Sequence, residues 1–425
     1  MRERMRKPKA IIVGGSIAGI SCAKALILAG WDVVVIEKTR GPPTGNPTGA
    51  GIALHLLSQK IVKSWLHQPD LLHNITLPLT IDQNRAVDRE KNICRVLARD
   101  ENFNYLQAHW TDLHGLIYNT LPVEIVFWGH LYLTFCISHD KSTVNVKAKN
   151  LRTDVIIDVV GDLLVAADGS RSSVRQTFLP DSKLRYTGYC AWRGVFDFSE
   201  NENSETIQGI RKAYPELGNG VHTDLVPGTH TVLYELMYKR LNWIWYITQP
   251  ELACFILPFI CIRGGSATMK VSSDMIKKMH QEVEKICAPE HATVIKETKE
   301  PFLNLIADCD PLTQIYWDNV VLIGDAAHPI TPHCARSTNM AIADAAVLGK
   351  CLERWGPENL HSALEEHKSV RLPVTNKQVL HSRRVGLIKL GLPLPDRGLL
   401  IQTQQVLRIK QRSLPFFDDV PATLE

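Results

Sequence analysis

The sequence has no marked excess of charge of either sign and no closely spaced pair of cysteines. Its 425 residues include 48 Lys and Arg against 44 Asp and Glu, which gives a net charge of +4. Such a small excess argues against a nucleic-acid surface, because phosphate binding requires clustered positive charge. The ten cysteines include no C-x-x-C pair. This pattern argues against a disulfide or zinc framework and favours a cytoplasmic protein.

Segments that target or anchor a chain are also missing. Residues 1–9 are basic, but they lead directly into a strand-like stretch without the apolar core and cleavage site of a signal peptide. The longest apolar run, residues 252–262, contains Pro258 and is about half the length of a membrane-spanning helix. We therefore expect no transmembrane segment. The run itself is interpreted as a buried strand or loop; the alternatives are a tolerated insertion or a splicing-type error that weakens folding.

What is present is an ordinary globular composition, 45% hydrophobic and 22% charged, and a length that predicts two or three domains. An apolar β–α–β pattern opens the chain, and a helical pattern follows at residues 52–67. A β-branched and aromatic block comes next, then a charged helix at 273–286, and α/β character returns before a basic helical C-terminus. We predict an α/β fold, α+β overall, with a split Rossmann-like domain at residues 1–185 and 301–375. A mostly antiparallel β-sheet substrate domain is inserted at 186–300, and a helical segment follows at 376–425.

The first motif with chemical meaning is G-G-S-I-A-G at residues 14–19, which follows a strand and opens a helix. That context is typical of a dinucleotide fingerprint, in which glycines allow a tight turn and the helix N-terminus binds a pyrophosphate. Glu37 ends the next strand, where its carboxylate would accept hydrogen bonds from a ribose and repel a 2′-phosphate. The pattern predicts FAD or NAD rather than NADP. An ordinary strand–helix turn is the alternative.

Two further turns follow buried strands. Asp168 begins D-G-S-R-S-S-V-R, which by itself is typical of a simple turn with a helix cap. Gly324 and Asp325 follow the strand V-V-L-I and precede a helix rich in small residues. A carboxylate there can bind sugar-like hydroxyls, and the helix N-terminus can stabilise negative charge on a flat ring. We predict a ligand site at this third motif, with a plain strand–turn–helix as the alternative.

In identity and order, the three motifs resemble those of the single-component FAD-dependent monooxygenases, the p-hydroxybenzoate hydroxylase-like enzymes, over residues 8–375. The opening motif looks most like the 2,6-dihydroxypyridine hydroxylase branch. The resemblance implies an enzyme that binds FAD, uses NADH or NADPH transiently, and hydroxylates a small aromatic or N-heterocyclic substrate with O2 through a flavin hydroperoxide. It also implies that the split domain is FAD-binding, and it is compatible with a homodimer.

The resemblance assigns cofactor contacts along the chain. The adenosine half of FAD would lie at the first motif, the ribityl chain at Asp325 and the isoalloxazine ring beside residues 332–339, while the turn at Asp168 would serve FAD and NAD(P)H. No metal ligand and no catalytic residue is assigned. The residues assigned to cofactor binding are Gly14, Gly15, Ser16, Ala18, Gly19, Glu37, Asp168, Gly324, Asp325, Pro332, Thr338 and Asn339.

Three positions depart from the family pattern. Ser16 replaces a glycine of the fingerprint, and Trp110 replaces an arginine that helps to hold the cofactor. Ser337 stands where a glycine commonly lies beside the flavin ring. These substitutions keep open a second interpretation, in which the chain is a non-catalytic or impaired flavin-binding protein.

Two other enzyme classes share part of the pattern. An epoxidase of a lipid-like substrate would need a membrane-associating helix, for which the basic stretch 379–412 is a candidate. A flavin-dependent halogenase would have a W-x-W-x-I-P signature, but Thr248 replaces its proline and no lysine lies between residues 72 and 90. The halogenase interpretation is therefore disfavoured.

Side chains for the chemical step are harder to assign from the sequence. His328 is either a base beside Asp325 or a packing histidine. Arg193 either binds a phenolate or carboxylate or is a solvated strand residue. The aromatic residues of the β-rich block either enclose a dry cavity or form an ordinary core. They are Tyr189, Trp192, Trp243, Trp245 and Tyr246.

Overall fold

The computed structural model describes residues 6–43, 49–88, 93–249, 268–269 and 271–394, and the structural statements below concern these residues. They form four β-sheets and the helices that cover them. The apolar run at 252–262 lies outside the described residues, so its interpretation stays a prediction. The part of the basic stretch 379–412 that follows residue 394 also lies outside them.

The described residues contain twenty strands, numbered here in chain order. Strands of the first half are β1 Lys9–Val13, β2 Asp32–Glu37, β3 Gly51–Leu54, β4 Thr76–Leu79, β5 Ile81–Asp88, β6 Ile93–Asp100, β7 Tyr105–His109, β8 Val126–Trp128, β9 His130–Ile137, β10 Val144–Asn150, β11 Ile156–Gly161 and β12 Leu163–Ala166. Strands of the second half are β13 Arg185–Asp197, β14 Gly220–Val226, β15 Thr229–Leu236, β16 Arg240–Thr248, β17 Thr268–Met269, β18 Phe302–Asp308, β19 Tyr316–Trp317 and β20 Val320–Leu322.

Nine α-helices lie among the described residues. They are α1 Ile17–Leu28, α2 Leu56–Trp65, α3 Trp110–Tyr118, α4 Ser173–Phe178, α5 Glu205–Ala213, α6 Ser273–Ile286, α7 Pro289–Glu297, α8 Ser337–Trp355 and α9 Leu360–Lys389. Short 3₁₀ helices occur at Pro69–Ile75, Val123–Ile125, Gly324–Ala326, Pro332–Cys334 and Pro357–Asn359.

The six-stranded sheet has the order β19-β20-β12-β1-β2-β8 and is parallel except for the edge strand β19. Its central strands are almost entirely apolar, because helices cover one face and the small sheet β9–β11 covers the other. Helices α1 and α8 approach closely, since a Cβ added at Gly349 would lie 2.9 Å from the carbonyl oxygen of Ala25. This sheet confirms the predicted split Rossmann-like domain.

The eight-stranded sheet has the order β17-β18-β13-β16-β15-β14-β5-β6 and is antiparallel except for the pair β14–β5. Helices α5–α7 pack on one face, and the other face lines a cavity. The predicted inserted sheet is therefore confirmed. Its strands extend beyond residues 186–300, since β5, β6 and β18 also belong to it, so the exact domain boundaries stay predictions.

Local predictions fare differently along the chain. The charged helix predicted at 273–286 is present with those bounds. The helix predicted over 52–67 is wrong at its start, because residues 51–54 pair with β7 before α2 begins at Leu56. Among the described helices, none combines the length and apolar character needed to span a bilayer.

Candidate active site

The turn between β1 and α1 requires glycine at two positions. Gly14 has φ +102°, a conformation that strains any residue with a side chain, and a Cβ there would collide with the carbonyl oxygen of Ala167. A Cβ on Gly19 would collide with the carbonyl oxygen of Gly14. The predicted fingerprint therefore has the tight turn and the close helix–strand packing that its sequence indicates.

The N-terminus of α1 is open to a ligand. Ser16 is its exposed N-cap, and the Ser16 hydroxyl makes no capping hydrogen bond. The first turn carries no acidic residue, so the positive end of this 12-residue helix is not neutralised by a side chain. An exposed N-terminus beside a glycine turn fits a pyrophosphate group, and Ser16 places a hydroxyl at the same point.

Glu37 lies against the same turn at the end of β2. Its Oε2 accepts a hydrogen bond from the Gly15 N–H at 2.6 Å, and its Oε1 accepts one from the Thr39 N–H at 2.8 Å. The carboxylate is half-buried, so it remains reachable from the glycine loop. The structure thus brings Glu37 to the fingerprint, as predicted, and its contact with a ribose stays a prediction.

The second motif is tied to the third by an arginine. Asp168 Oδ2 accepts a hydrogen bond from the Ser173 N–H at 2.8 Å, whereas its buried Oδ1 makes no hydrogen bond in the part of the chain that the structure describes. Arg175 is buried, and its Nη1 donates to the carbonyl oxygen of Ala326 at 2.7 Å. Burial lowers the pKa of Arg175, against the charges of nearby acidic groups. The sequence analysis did not assign Arg175, although it ends the D-G-S-R-S-S-V-R motif.

The third motif places Asp325 at a cavity wall. Asp325 Oδ1 accepts a hydrogen bond from the Ser337 hydroxyl at 2.7 Å. Burial raises the pKa of Asp325, while this hydrogen bond and the charges of His328 and Arg175 act in the opposite direction. Ser337, which departs from the family glycine, therefore orients the carboxylate that the sequence assigns to the ribityl chain.

His328 belongs to a buried network behind Asp325. Its Nε2 lies 2.6 Å from Asp344 Oδ2, which also accepts a hydrogen bond from the Gly324 N–H at 2.9 Å. Arg371 Nε donates to Asp344 Oδ1 at 2.7 Å. Burial alone would raise the pKa of Asp344, but His328 and Arg371 hold it well below its usual range. His328 is thus the packing histidine of the two alternatives, and Asp344 anchors the turn before Asp325.

The segment from Pro332 to Asn339 divides between the cavity and the wall behind it. Pro332 and Thr338 line the cavity. Asn339 is buried, and its Oδ1 accepts from the His55 N–H at 2.8 Å while its Nδ2 donates to the carbonyl oxygen of Ala53 at 2.8 Å. Asn339 therefore joins β3 to α8. Its predicted contact with the ring stays a prediction.

Trp110 and His114 stand beside the glycine turn. The backbone N–H of Trp110 donates to the carbonyl oxygen of Ala50 at 3.0 Å. The centroid of the Trp110 ring is 5.5 Å from that of the His114 ring. His114 Nε2 lies 2.8 Å from the Gly15 carbonyl oxygen. Burial lowers the pKa of His114, which favours the neutral ring with Nε2–H as the donor. His114 thus holds the glycine turn through a hydrogen bond to the Gly15 carbonyl oxygen.

One cavity of about 420 Å³ lies between the third motif, with Ser170 of the second, and the eight-stranded sheet. The cofactor side of its wall includes Gly51, Asp325 and residues 332–338. The sheet side carries polar and aromatic groups, namely Arg193, His230, Tyr234 and Tyr246. The arrangement places a donor-rich sheet face opposite the helix N-terminus of the third motif.

Arg193 lies in this cavity and not on a solvated strand edge. Its Nε is buried and makes no hydrogen bond within the described residues. Its charge acts on Tyr234 and Tyr246. Burial raises the pKa of Tyr246 to about 12, although Arg193 opposes the shift. Arg193 therefore keeps a donor available inside the cavity.

The aromatic residues of the β-rich block lie on both faces of the eight-stranded sheet, so their roles differ. Tyr246 lines the cavity, whereas Trp192, Trp243 and Trp245 pack under α5–α7 on the opposite face. The indole N–H of Trp243 donates to Thr298 Oγ1 at 2.8 Å. The three tryptophans are thus core residues, because alternate residues of a strand point to opposite faces.

Two histidines that the sequence analysis did not single out stand at the centre of the cavity wall. The ring of His230 stacks on that of Tyr246 at 4.5 Å between centroids, and His333 is also 4.5 Å from Tyr246. Tyr189 approaches His333 at 5.3 Å. His333 follows Pro332 directly, which is the only sequence signal that could have drawn attention to it.

The chain is similar to known flavoproteins over most of its length. The model of the FAD binding domain family matches residues 269–381. Aurachin C monooxygenase/isomerase of Stigmatella aurantiaca is 31% identical over 231 residues, about half of each chain (54% and 51%). The 3-hydroxybenzoate 6-hydroxylase of Klebsiella oxytoca is 26% identical over 89% of this chain and 88% of that enzyme.

A solved structure agrees with these relatives. The 2,6-dihydroxypyridine-3-hydroxylase from Arthrobacter nicotinovorans has a TM-score of 0.74 at 21% identity, covering 93% of this chain and 96% of that one. The likeness at this identity shows the shared fold. Together with the family match and the full-length relatives, it confirms the resemblance that the three motifs predicted. The chain is thus an FAD-binding oxidoreductase that is similar to the FAD-dependent monooxygenases.

Proposed function

We propose that this chain hydroxylates a small aromatic or N-heterocyclic compound, using FAD, NADH or NADPH, and O2. The observation that carries the proposal is the single cavity that joins the third motif to Arg193 and His230. A cytoplasmic location and a homodimer are part of the same proposal, and they rest on the sequence pattern alone.

The described residues fit FAD in an extended arrangement. The open N-terminus of α1 would bind the pyrophosphate and Glu37 the ribose of the adenosine half. Asp325 would bind the ribityl hydroxyls, and residues 332–338 would line the ring. When bound and reduced by NAD(P)H, FAD supplies the activation of O2. The protein would bind the substrate, ionise it and exclude water from the cavity.

The register of the eight-stranded sheet forms a floor for an aromatic ring. Arg193 pairs with Ile244, which pairs with Val232, which pairs with Thr223. Because neighbouring strands lie about 4.8 Å apart, Arg193 and Thr223 are separated by about 14 Å. Two apolar side chains therefore lie between two polar ends, a spacing that suits a planar ring with a polar substituent.

His230 and Arg193 would together ionise a hydroxyl group of the substrate. A neutral imidazole at His230 can accept a proton from a ring hydroxyl of the substrate. The guanidinium of Arg193, whose Nε is buried, can then stabilise the oxygen anion with a charge-assisted hydrogen bond. An ionised hydroxyl enriches the ring carbons ortho and para to it in electrons, which prepares them for attack by an electrophilic oxygen.

The end of α9 would keep water from the cavity. Leu390 packs with Tyr189, Ile244 and Tyr246, and a Cβ on Gly386 would lie 2.6 Å from the Tyr189 hydroxyl. This close approach covers the cavity beside the two histidines. Exclusion of water strengthens the electrostatic contacts inside and limits side reactions.

The names of the relatives support the substrate class. One acts on 3-hydroxybenzoate and a structural neighbour is a 2,6-dihydroxypyridine hydroxylase. Both named compounds are planar rings that carry a hydroxyl group. A hydroxylated ring of this size suits a cavity whose floor is apolar and whose ends are polar.

The test is the visible spectrum of the purified protein and its rate of NAD(P)H oxidation in air, with hydroxybenzoates and hydroxypyridines as probes. We expect a yellow protein whose NAD(P)H oxidation rises with at least one probe, with a hydroxylated product by mass spectrometry. A protein that binds FAD but shows no stimulation and no product with any probe would instead support the non-catalytic interpretation.

Asp325→Ala tests the cofactor arrangement separately. We expect soluble protein with little or no FAD, because the ribityl contact is lost. The matched control is Asp310→Ala, which removes an exposed carboxylate outside the cavity. Normal FAD content in Asp325→Ala would remove this assignment.

A further inference from the structure

A buried arginine lies where the third motif meets the cavity. Arg336 is 1% exposed and lines the cavity together with Ala335, Ser337 and Thr338. Its guanidinium carbon lies 5.9 Å from the centre of the Tyr105 ring. None of the roles derived above involves this side chain, whose guanidinium carries a permanent positive charge in the cavity wall.

The backbone directs Arg336 inward. Ala335 adopts a left-handed conformation with φ +52°, which ends the short 3₁₀ helix and reverses the chain before α8. Arg336 follows as the N-cap of α8, and its carbonyl oxygen accepts the first helical hydrogen bond from the Met340 N–H at 2.8 Å. The arginine charge is therefore added at the positive end of a 19-residue helix.

Three described carboxylates also line the cavity. Asp325, on the same wall, is engaged by the Ser337 hydroxyl. Asp82 and Asp100 line the cavity from β5 and β6 of the eight-stranded sheet. The wall that would face the flavin ring thus combines a helix N-terminus with a buried guanidinium, and its one carboxylate is hydrogen-bonded and has a raised pKa.

We propose that Arg336 sets the reduction potential of the bound flavin. Its positive charge, added to that of the α8 N-terminus, stabilises the negative charge that the isoalloxazine ring gains on two-electron reduction. This inference rests on the proposed binding of FAD in the cavity. It assigns Arg336 to the cofactor and leaves Arg193 and His230 to the substrate.

The experiment uses FAD-loaded protein without substrate, so that a substrate contact cannot account for the result. The flavin midpoint potential and the dissociation constant for sulfite are measured for wild type, Arg336→Gln and Arg336→Lys. Sulfite adds to oxidised flavin and leaves a negative ring, so its affinity follows the local positive charge. We expect Arg336→Gln to lower the potential and weaken sulfite binding by about tenfold or more, and Arg336→Lys to stay within about threefold of wild type.

Lys350→Gln is the matched control, because it removes an exposed positive charge from the same helix, about 20 Å from its start. It should leave both quantities unchanged. Arg336→Met, which keeps most of the side-chain length, serves as a second uncharged variant.

Unchanged potential and sulfite affinity in Arg336→Gln would overturn the inference. Loss of FAD from both uncharged variants, with retention in Arg336→Lys, would also overturn it in favour of a role in holding FAD. A wild-type protein that binds no FAD would instead contradict the proposed function itself. The two failures are therefore distinguishable.

Discussion

The two sheets that meet at the cavity hold their functional groups in different ways. Around the six-stranded sheet, Glu37 and Asp344 each accept hydrogen bonds from named backbone or side-chain donors. On the eight-stranded sheet, Arg193 keeps a buried Nε that has no such partner among the described residues. The first arrangement is a preorganised cradle, and the second retains a donor for a ligand. A cofactor that stays bound suits the former, and a substrate that comes and goes suits the latter.

The largest effect should come from removing the buried carboxylate of the cradle. Asp344→Ala removes the carboxylate that pairs with buried Arg371 and that accepts from the Gly324 N–H, which should cost about 3–5 kcal/mol of unfolding free energy. The depressed pKa of Asp344 means that its ionised form stabilises the fold above about pH 4, and this contribution is lost as the pH falls through the folded pKa. Denaturant unfolding at pH 7 measures the loss.

Asp310→Ala is the control for this comparison, because that carboxylate is exposed and should contribute less than about 1 kcal/mol. Equal stabilities for Asp344→Ala and wild type would show that the network does not support the cofactor cradle.

The glycine turn should respond to a single methyl group. Gly19→Ala introduces a Cβ that collides with the Gly14 carbonyl oxygen, so the turn must shift and FAD content should fall sharply. Gly115→Ala is the control, because nothing lies within 4 Å of its added Cβ and the residue is inside α3. Alanine there should be neutral or stabilising by up to about 1 kcal/mol. Full FAD content in purified Gly19→Ala would argue against this account.

On the eight-stranded sheet, a substitution at Arg193 should weaken substrate binding without lowering the FAD content. Arg193→Gln removes the donor for an anionic oxygen, which is worth about 1.5–3 kcal/mol, or roughly 10- to 150-fold in the substrate dissociation constant. FAD content should remain that of wild type. Flavin spectral titration with the stimulating compound measures the substrate dissociation constant. Lys212→Gln, at an exposed position of α5, is the control. Loss of FAD without weaker substrate binding would reverse the proposed division.

The smallest effect is expected at Trp110, where the family pattern has an arginine. Trp110→Arg should tighten FAD binding by a few-fold, since the new charge gains a phosphate partner while the half-buried ring loses packing. Titration of apoprotein with FAD measures the dissociation constant, and Trp110→Lys separates charge from the planar guanidinium. An unchanged or weaker affinity in Trp110→Arg would show that the chain holds FAD without this contact.

The cofactor motifs were predictable because each is a contiguous turn with a local physical requirement. The glycine positions, Glu37 and Asp325 could be assigned from spacing and from the strand that precedes each turn. Arg175 and Asp344 could not, although both brace those turns, because their partners lie about 150 and 20 residues away in the chain. His328 remained ambiguous in the sequence for the same reason, since its neighbour Asp344 had no assigned role.

The similarity to FAD-dependent monooxygenases, the split nucleotide-binding fold and the turns that would hold FAD could be predicted from the sequence alone. They depend on φ angles, small residues and helix starts, which neighbouring residues in the chain specify. The three-dimensional fold was needed to show that Trp192 is core while Arg193 enters the cavity, and that His230, His333 and Arg336 line the same cavity. A strand turns alternate residues to opposite faces, so a side chain's role depends on register and on which face another domain covers.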